Sequence, residues 1–351
     1  MGFRPIYGHD ALRNRLGGAL VSGRFPQVAL FTGPPGVGKQ RLALWVAQGT
    51  LCDRGPGPPC DDCAACRSVT GLTHPDLHWF VPIPRPKATD PGKQVEEARD
   101  LLGEVMAVRR ERPLYGPPER MASHSLASVR LLRRVMALTP FSGSRKVVIL
   151  GDAERLIVQE ASQEAANALL KLLEEPPADA TVILTAADPE ALLPTIRSRA
   201  VPLRVGRVPD DAVHRFVETE LERPPAGDAL QRRVALAEGC IGRTIDEHDR
   251  GTADRRAREL LAAAQEGPQA WTLPALSQPP WSARGDFSAT LDALALELRD
   301  RLQRSAAAGD GRAPHWLQAL RLVEERRAEA QGNANPQLAL AVLAGELERV
   351  L

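Results

Sequence analysis

Two stretches of this chain carry residue types at spacings that do chemistry. The first is GPPGVGKQ, Gly33 to Gln40, which has the frame G-x-x-x-x-G-K-[ST]. In that frame backbone amides cradle phosphates and the lysine reaches their outer oxygens. Gly33, Gly36, Gly38 and Lys39 are therefore candidate phosphate contacts. The last position departs from the frame, because a hydroxyl belongs there to hold Mg2+ and the chain has Gln40. Lysine is scarce, 5 residues against 40 arginines, so a lysine in the right place is informative where an arginine is not. The bland reading is a Gly/Pro turn between core elements. The flanks argue against it: QVALFTG is a short apolar run suited to a buried strand, and QRLALWVAQGTL has helical periodicity without proline. A strand, a glycine turn and a helix start aim amides and the helix dipole at one point.

The second stretch, LCDRGPGPPCDDCAACRS, holds four of the five cysteines, Cys52, Cys60, Cys63 and Cys66. Thiolates in this C-x7-C-x2-C-x2-C array can close a tetrahedral shell around one structural Zn2+, leaving no open catalytic position. Redox chemistry and incidental free thiols are the alternatives, and a reducing compartment disfavours a structural disulfide. His74 is a spare ligand that the spacing does not require. Cys240 reads as a small buried residue.

A chain of 351 residues is long enough for two or three domains. Its net charge of +1 excludes a grossly basic nucleic-acid coat but not a local basic surface. The first residues lack an apolar signal region and no apolar run reaches membrane-spanning length, so the expectation is a cytoplasmic protein without a membrane partner. SRKVVILGDAERL predicts a second buried strand with an acidic tip, and DATVILTAADPE a third, ending at Thr185. EASQEAANALLKLLEEPP between them predicts an amphipathic helix stopped by Pro176 and Pro177. Residues from about 82 to 123 look like an insertion built of a Pro-rich linker, a short helix and a second Pro-rich loop. After about Val208 helices dominate, with one break at WTLPALSQPPWSARGD. The element pattern predicts the fold class α/β plus α, a P-loop parallel sheet with helices on both faces followed by an all-α C-terminal part.

In this order the pieces resemble the AAA+ subunits of the bacterial DNA polymerase III clamp loader. The resemblance rests on IYGHD, the P-loop, the four-cysteine module after the P-loop helix, NALLKLLEEPP, LTAADPEALLPTIRSRA and GCIGR. It covers the first ~245 residues well, and NANPQLAL extends it loosely to the end. It implies a nucleotide-binding-like domain over 1–206 with the zinc module at 52–66, a helical lid over 207–250 and a helical collar for oligomerisation over 251–351. It also implies assembly with gamma or tau motor subunits and a delta subunit, acting on the sliding clamp and, through the assembled complex, on primer–template DNA.

Such families hold hydrolysing motors and a delta-prime type that lends an arginine to its neighbour. Hydrolysis needs Mg2+ held by the P-loop hydroxyl and a carboxylate at the second strand's tip, with another carboxylate to activate water. Aligned on KVVIL, Gly151 falls at the metal-holding position and Asp152 at the base position; if the register slips by one, Ala153 replaces the base. One carboxylate is missing either way, and Gln40 removes the hydroxyl. The resemblance thus implies a non-hydrolysing subunit, with Arg199 of Ser198–Arg199–Ala200 as an arginine finger in trans and Arg197 as its rival. ATP or ADP is then either weakly bound or absent. The resemblance places Tyr7, with Gly8 and His9, on the adenine side, Thr185 at the sensor of the γ-phosphate, and Arg243 at the lid sensor. Two other readings stand beside this one: a motor with a divergent metal site, and a zinc-containing DNA-binding module.

Overall fold

The computed structural model describes residues 5–116, 122–156, 162–245, 248–276, 284–329 and 335–351. It comprises two compact units, Met1–Ile245 and Asp246–Leu351. In the first, five strands form one sheet: β1 (Val28–Thr32), β2 (Leu77–Phe80), β3 (Lys146–Leu150), β4 (Ala180–Ala186) and β5 (Val201–Arg204). Their order is β2-β3-β4-β1-β5 and every pairing is parallel. The connecting helices are α1 (Asp10–Val21), α2 (Lys39–Thr50), α3 (Ala64–Thr70), α4 (Pro91–Glu111), α5 (Leu126–Ala137), α6 (Ser162–Glu174) and the single turn α7 (Pro194–Arg197).

The central strands are almost wholly apolar because both faces of a parallel sheet are covered. Ala29, Phe31, Val147, Ile149 and Ile183 pack with Leu42 and Val46 of α2 and with Leu16 and Leu20 of α1. On the opposite face Leu30, Val148, Val182 and Leu184 pack with Leu132 of α5 and Leu169 of α6. This is the two-faced parallel sheet that the sequence predicts.

Several details differ from the sequence expectations. The edge strand β2 was not anticipated: LHWF is four residues long and looks no more strand-like than its surroundings until β3 pairs with it. The expected short helix inside 82–123 is α4, 21 residues long. Asp90 caps it by accepting from the Lys93 amide, Pro91 follows at the first helical position, and Val95 and Ala98 pack with Ile83 and Ala127. Charged residues on its outer face hid the apolar stripe. At its far end the Arg109 guanidinium lies 4.2 Å from the Trp79 ring centre and 3.9 Å from that of Tyr115, tying α4 to β2. β4 runs one residue past Thr185. Residues 117–121 of the supposed insertion lie outside the described residues.

The segment expected as a lid, 207–250, is divided: its residues up to Ile245 belong to the first unit, and the helix that begins at His248 belongs to the second. Helices α8 (Asp210–Glu220) and α9 (Asp228–Ala237) and a 3-10 turn over Ile241–Thr244 enclose a small core of Val213, Phe216, Val217 and Val234. The second unit is wholly helical: α10 (His248–Glu266), α11 (Pro268–Leu276), α12 (Arg284–Ala308), α13 (Ala313–Glu329) and α14 (Pro336–Val350). Its core includes Leu261, Leu291, Leu294, Leu298, Val323, Leu343 and Leu347. The break expected at WTLPALSQPPWSARGD begins later than predicted, since Trp271–Leu276 are still helical with Pro274 inside α11, and 277–283 lie outside the described residues. Asn335 caps α14, accepting from the Gln337 and Leu338 amides ahead of Pro336. Among the described residues no helix is long and apolar enough to cross a membrane.

Candidate functional site

The phosphate loop joins β1 to α2 at the carboxyl end of the sheet, where α/β folds bind ligands. Gly33, Gly36 and Gly38 all have positive φ, at 155°, 78° and 98°, so the loop's path needs residues without a Cβ. Gly33 is further constrained by approach, because a Cβ there would lie 2.2 Å from the Val205 carbonyl oxygen. Lys39 is 6% exposed, and its Nζ donates to the carbonyls of Gly33 at 2.8 Å and Pro34 at 3.1 Å. Burial pulls its pKa below the usual lysine value, opposed by the nearby charges of Glu154 and Asp152. The lysine thus braces the loop from within.

The loop is held from two further directions. The His9 ring Nε2 meets the Val37 carbonyl at 2.9 Å, and the Gly242 amide of the lid donates to the Gly36 carbonyl at 2.7 Å. The lid turn sits so close that a Cβ on Gly242 would fall 2.7 Å from the Gly36 Cα. Arg243 presents its backbone to the loop, while its side chain donates to Glu238 at 2.8 Å; Arg207 shares that carboxylate. Tyr7 bonds to Glu220 at 2.6 Å and meets Phe216 edge-on, so it fastens the N-terminal segment to the lid helix α8.

At the strand tips, fully buried Thr185 accepts a hydrogen bond from the Asp152 amide at 3.0 Å. Asp152 itself is left-handed, φ 52°. Gly151 carries no side chain, and the Gln40 carboxamide lies where one would be: an ideal Cβ on Gly151 would meet Gln40 Oε1 at 2.7 Å and Cδ at 2.8 Å. Glu154 accepts from the Ala187 amide at 2.9 Å, and burial raises its pKa above the usual carboxylate value. Behind them buried His124 meets the Gly151 carbonyl at 2.7 Å through Nε2. Burial drives its pKa down to about 4, so it is neutral. Sequence reasoning missed Glu154, His124 and the contact between residues 40 and 151, because each acquires meaning only from distant partners.

Arg199 is elsewhere. It follows α7 at the start of β5, and β5 runs parallel to β1 with Val201 opposite Ala29. It therefore lies at the amino end of the sheet, roughly 15–20 Å from its own phosphate loop at about 3.3 Å per residue. Its guanidinium bonds to Glu174 at 2.5 Å and to the Thr195 carbonyl at 2.8 Å, with the side chain 32% exposed. Arg197 pairs with Glu190 at 2.5 Å.

The cysteines converge. Sγ–Sγ separations are 3.6 Å for Cys52–Cys60, 3.9 Å for Cys52–Cys63 and 3.8 Å for Cys60–Cys66, and all four sulfurs lie within 4.8 Å of one another. Zn–S bonds of ~2.3 Å in a tetrahedron put sulfurs ~3.8 Å apart, so the quartet fits a single zinc-sized ion. No cysteine of the four is in a disulfide. Cys63 also caps α3, its sulfur accepting from the Cys66 amide. Gln48 of α2 anchors the module through Asp61, Thr70 and the Cys66 carbonyl. His74 does not take the place of a cysteine: the cluster that could hold an ion is the four sulfurs, and the His74 ring accepts from the Asp76 amide.

Residues 8–208 match the family model described as DNA polymerase III, delta subunit. The chain is 32% identical to the DNA polymerase III subunit delta' of Pseudomonas aeruginosa over 71% of this chain and 63% of the relative. It is 28% identical to subunit tau of Escherichia coli over 72% of this chain but 33% of that longer protein. Its matched part thus spans under two thirds of either relative. A DNA polymerase III gamma subunit-related protein of Thermotoga maritima is similar in structure over 80% of this chain and 96% of its own, at 17% identity and a TM-score of 0.35; that score adds nothing to the topology above. With residues 8–208, more than half of the chain, matching the family model, the chain belongs to the family described as DNA polymerase III, delta subunit.

Proposed function

We propose that this chain is the non-hydrolysing stator of a clamp loader, supplying Arg199 to the ATP site of a neighbouring gamma or tau motor while the sliding clamp is loaded on primer–template DNA. The reading rests chiefly on one observation: neither position that would hold Mg2+ has an oxygen ligand suited to it, residue 40 being glutamine and residue 151 glycine. Without that ion the charge building on the transferred phosphoryl group lacks its main counter-charge. Arg199 supports the second half of the reading. It is too far from its own loop to act in cis, partly exposed, and oriented by Glu174. In a neighbour's site such a guanidinium is worth about 10³–10⁵ in rate.

The remaining assignments follow from the same reading. Residues 1–206 form the nucleotide-binding-like domain, 207–250 the lid and 251–351 the collar that joins motor and delta subunits. Cys52, Cys60, Cys63 and Cys66 hold a structural Zn2+. Gly33, Gly36, Gly38 and Lys39 take the phosphates of ATP or ADP weakly if at all, with Tyr7, Thr185 and Arg243 holding the site's walls. The protein works in the cytoplasm.

The match to tau favours a second reading, a motor with a rebuilt metal site. ATP turnover separates the two. Purified chain is expected to show none by itself and to stimulate a motor subunit, and Arg199→Ala is expected to lose that stimulation by about a thousandfold. Robust Mg2+-dependent turnover by the chain alone, abolished in Lys39→Ala, would establish the motor instead.

A further inference from the structure

We propose that Gln40 and Gly151 are an interlocked pair: the glutamine carboxamide fills the space of a divalent cation and its carboxylate ligand, so that any nucleotide the loop takes is held without a metal. This deepens the stator reading and rests on it for the identity of the site.

Glycine at 151 has no backbone reason to be there. Unlike Gly33, Gly36 and Gly38, it is not among the residues of positive φ, and it opens the turn that follows β3, its amide donating to the Phe80 carbonyl at 2.8 Å and its carbonyl facing His124 at 2.7 Å. What excludes a side chain there is the Gln40 carboxamide in its observed position. A Cβ at 151 would meet three Gln40 atoms, Oε1 at 2.7 Å, Cδ at 2.8 Å and Nε2 at 3.0 Å. Real Cβ atoms essentially never approach that closely, so the observed Gln40 conformation and any side chain at 151 exclude each other. No hydrogen bond draws the carboxamide oxygen there, since Gln40 Oε1 is buried without a partner. It is placed by shape.

The consequence is specific to one half of the site. In a P-loop the cation lies between the hydroxyl at the position of Gln40 and the strand-tip carboxylate, which is the volume the carboxamide now occupies. The phosphate-facing half keeps its three glycines of positive φ and its buried lysine. An anion there is balanced by the Lys39 ammonium and the amino end of α2 alone. The departures at 40 and 151 therefore act together: reverting 151 alone leaves the carboxamide in the ion's space, and reverting 40 alone leaves the ion without the strand-tip carboxylate.

ADP binding by the full chain, measured with millimolar Mg2+ and with EDTA, tests the pair. Wild type is expected to show no Mg2+ dependence, whatever its basal affinity. Gln40→Thr/Gly151→Asp restores both ligands and is expected to bind ADP about tenfold or more tightly with Mg2+ than with EDTA. Gly151→Asp alone, with Gln40 in place, is expected to show far less. A tenfold Mg2+ dependence in wild type, none in the double variant, or a single variant equal to the double would overturn the proposal. A stability cycle guards against misfolding of the charged variant. Gly151→Ala is expected to lower Tm by about 3 °C in wild type and not measurably in a Gln40→Ala background; equal shifts in the two backgrounds would overturn the interlock. Stimulation of a motor through Arg199 is a separate readout, so failure of the stator reading would show there and failure of the interlock here.

Discussion

His124 shows how one buried side chain couples the strand tip to pH. Its ring is 1% exposed and bonded to the Gly151 carbonyl, and burial holds its pKa at about 4. An unfolded histidine titrates near ~6.5. Between those values the unfolded chain binds a proton that the native chain refuses, so stability rises with pH there and is lost as pH falls from about 6.5 towards about 4. His78, also held at about 4 by burial, adds to the same slope. Thermal unfolding against pH is expected to steepen in that window, and His124→Gln, which retains a donor for the Gly151 carbonyl, should flatten it. At Arg199 the relevant partner is Glu174. Because the pair is partly exposed, Glu174→Ala should change stability by less than about 1 kcal/mol while loosening the guanidinium. Motor stimulation by this variant should fall less than in Arg199→Ala.

At the scale of elements, the lid turn and the phosphate loop meet backbone to backbone through Gly242 and Gly36. There is no flexible side chain to give way, so Gly242→Val is expected to push the lid off the loop at a cost of about 1–3 kcal/mol. Hydrogen exchange over α8 and α9 should rise while β1 and β4 stay protected. The cysteine module is anchored the same way. A Cβ on Gly49 of α2 would lie 2.1 Å from the Gly57 carbonyl oxygen, so the loop's backbone lies directly on the helix. The module has little apolar core of its own, and its order should depend on the metal. Metal analysis is expected to find about one zinc per chain, and Cys63→Ser, which removes a thiolate while serine can still cap α3, to lose it. Zinc-free protein with four titratable thiols would contradict this. The four-cysteine spacing was fully legible in sequence, since its neighbours are close along the chain. β2 was not, because a short edge strand takes its identity from β3. The reach of α4 was hidden by its charged face.

For the whole molecule the useful observation is that each unit has a core of its own, the sheet and lid around Phe31, Leu150 and Phe216 in one and the helices around Leu298 and Leu343 in the other. A chain ended after Ile245 is therefore expected to unfold cooperatively and to bind zinc as the full chain does. Loss of cooperative unfolding in that chain would show that the first unit depends on the second.

The sequence by itself determined the parts whose physics is local. A strand, a glycine turn and a helix start fold into a tight loop of positive-φ glycines, four closely spaced cysteines converge to where they could hold one ion, and runs of β-branched and aliphatic residues must be buried on two faces. Gln40 and Gly151 were visible separately as departures from a motif, 111 positions apart. Only the tertiary structure decided that they meet, that Lys39 is braced on its own loop's carbonyls, that Arg199 stands at the far end of the sheet from its own phosphate site, and that Arg243 turns to Glu238 while its backbone covers Gly36. Those are facts about which strand lies beside which, and strand order is set by how the whole core packs rather than by any segment within it.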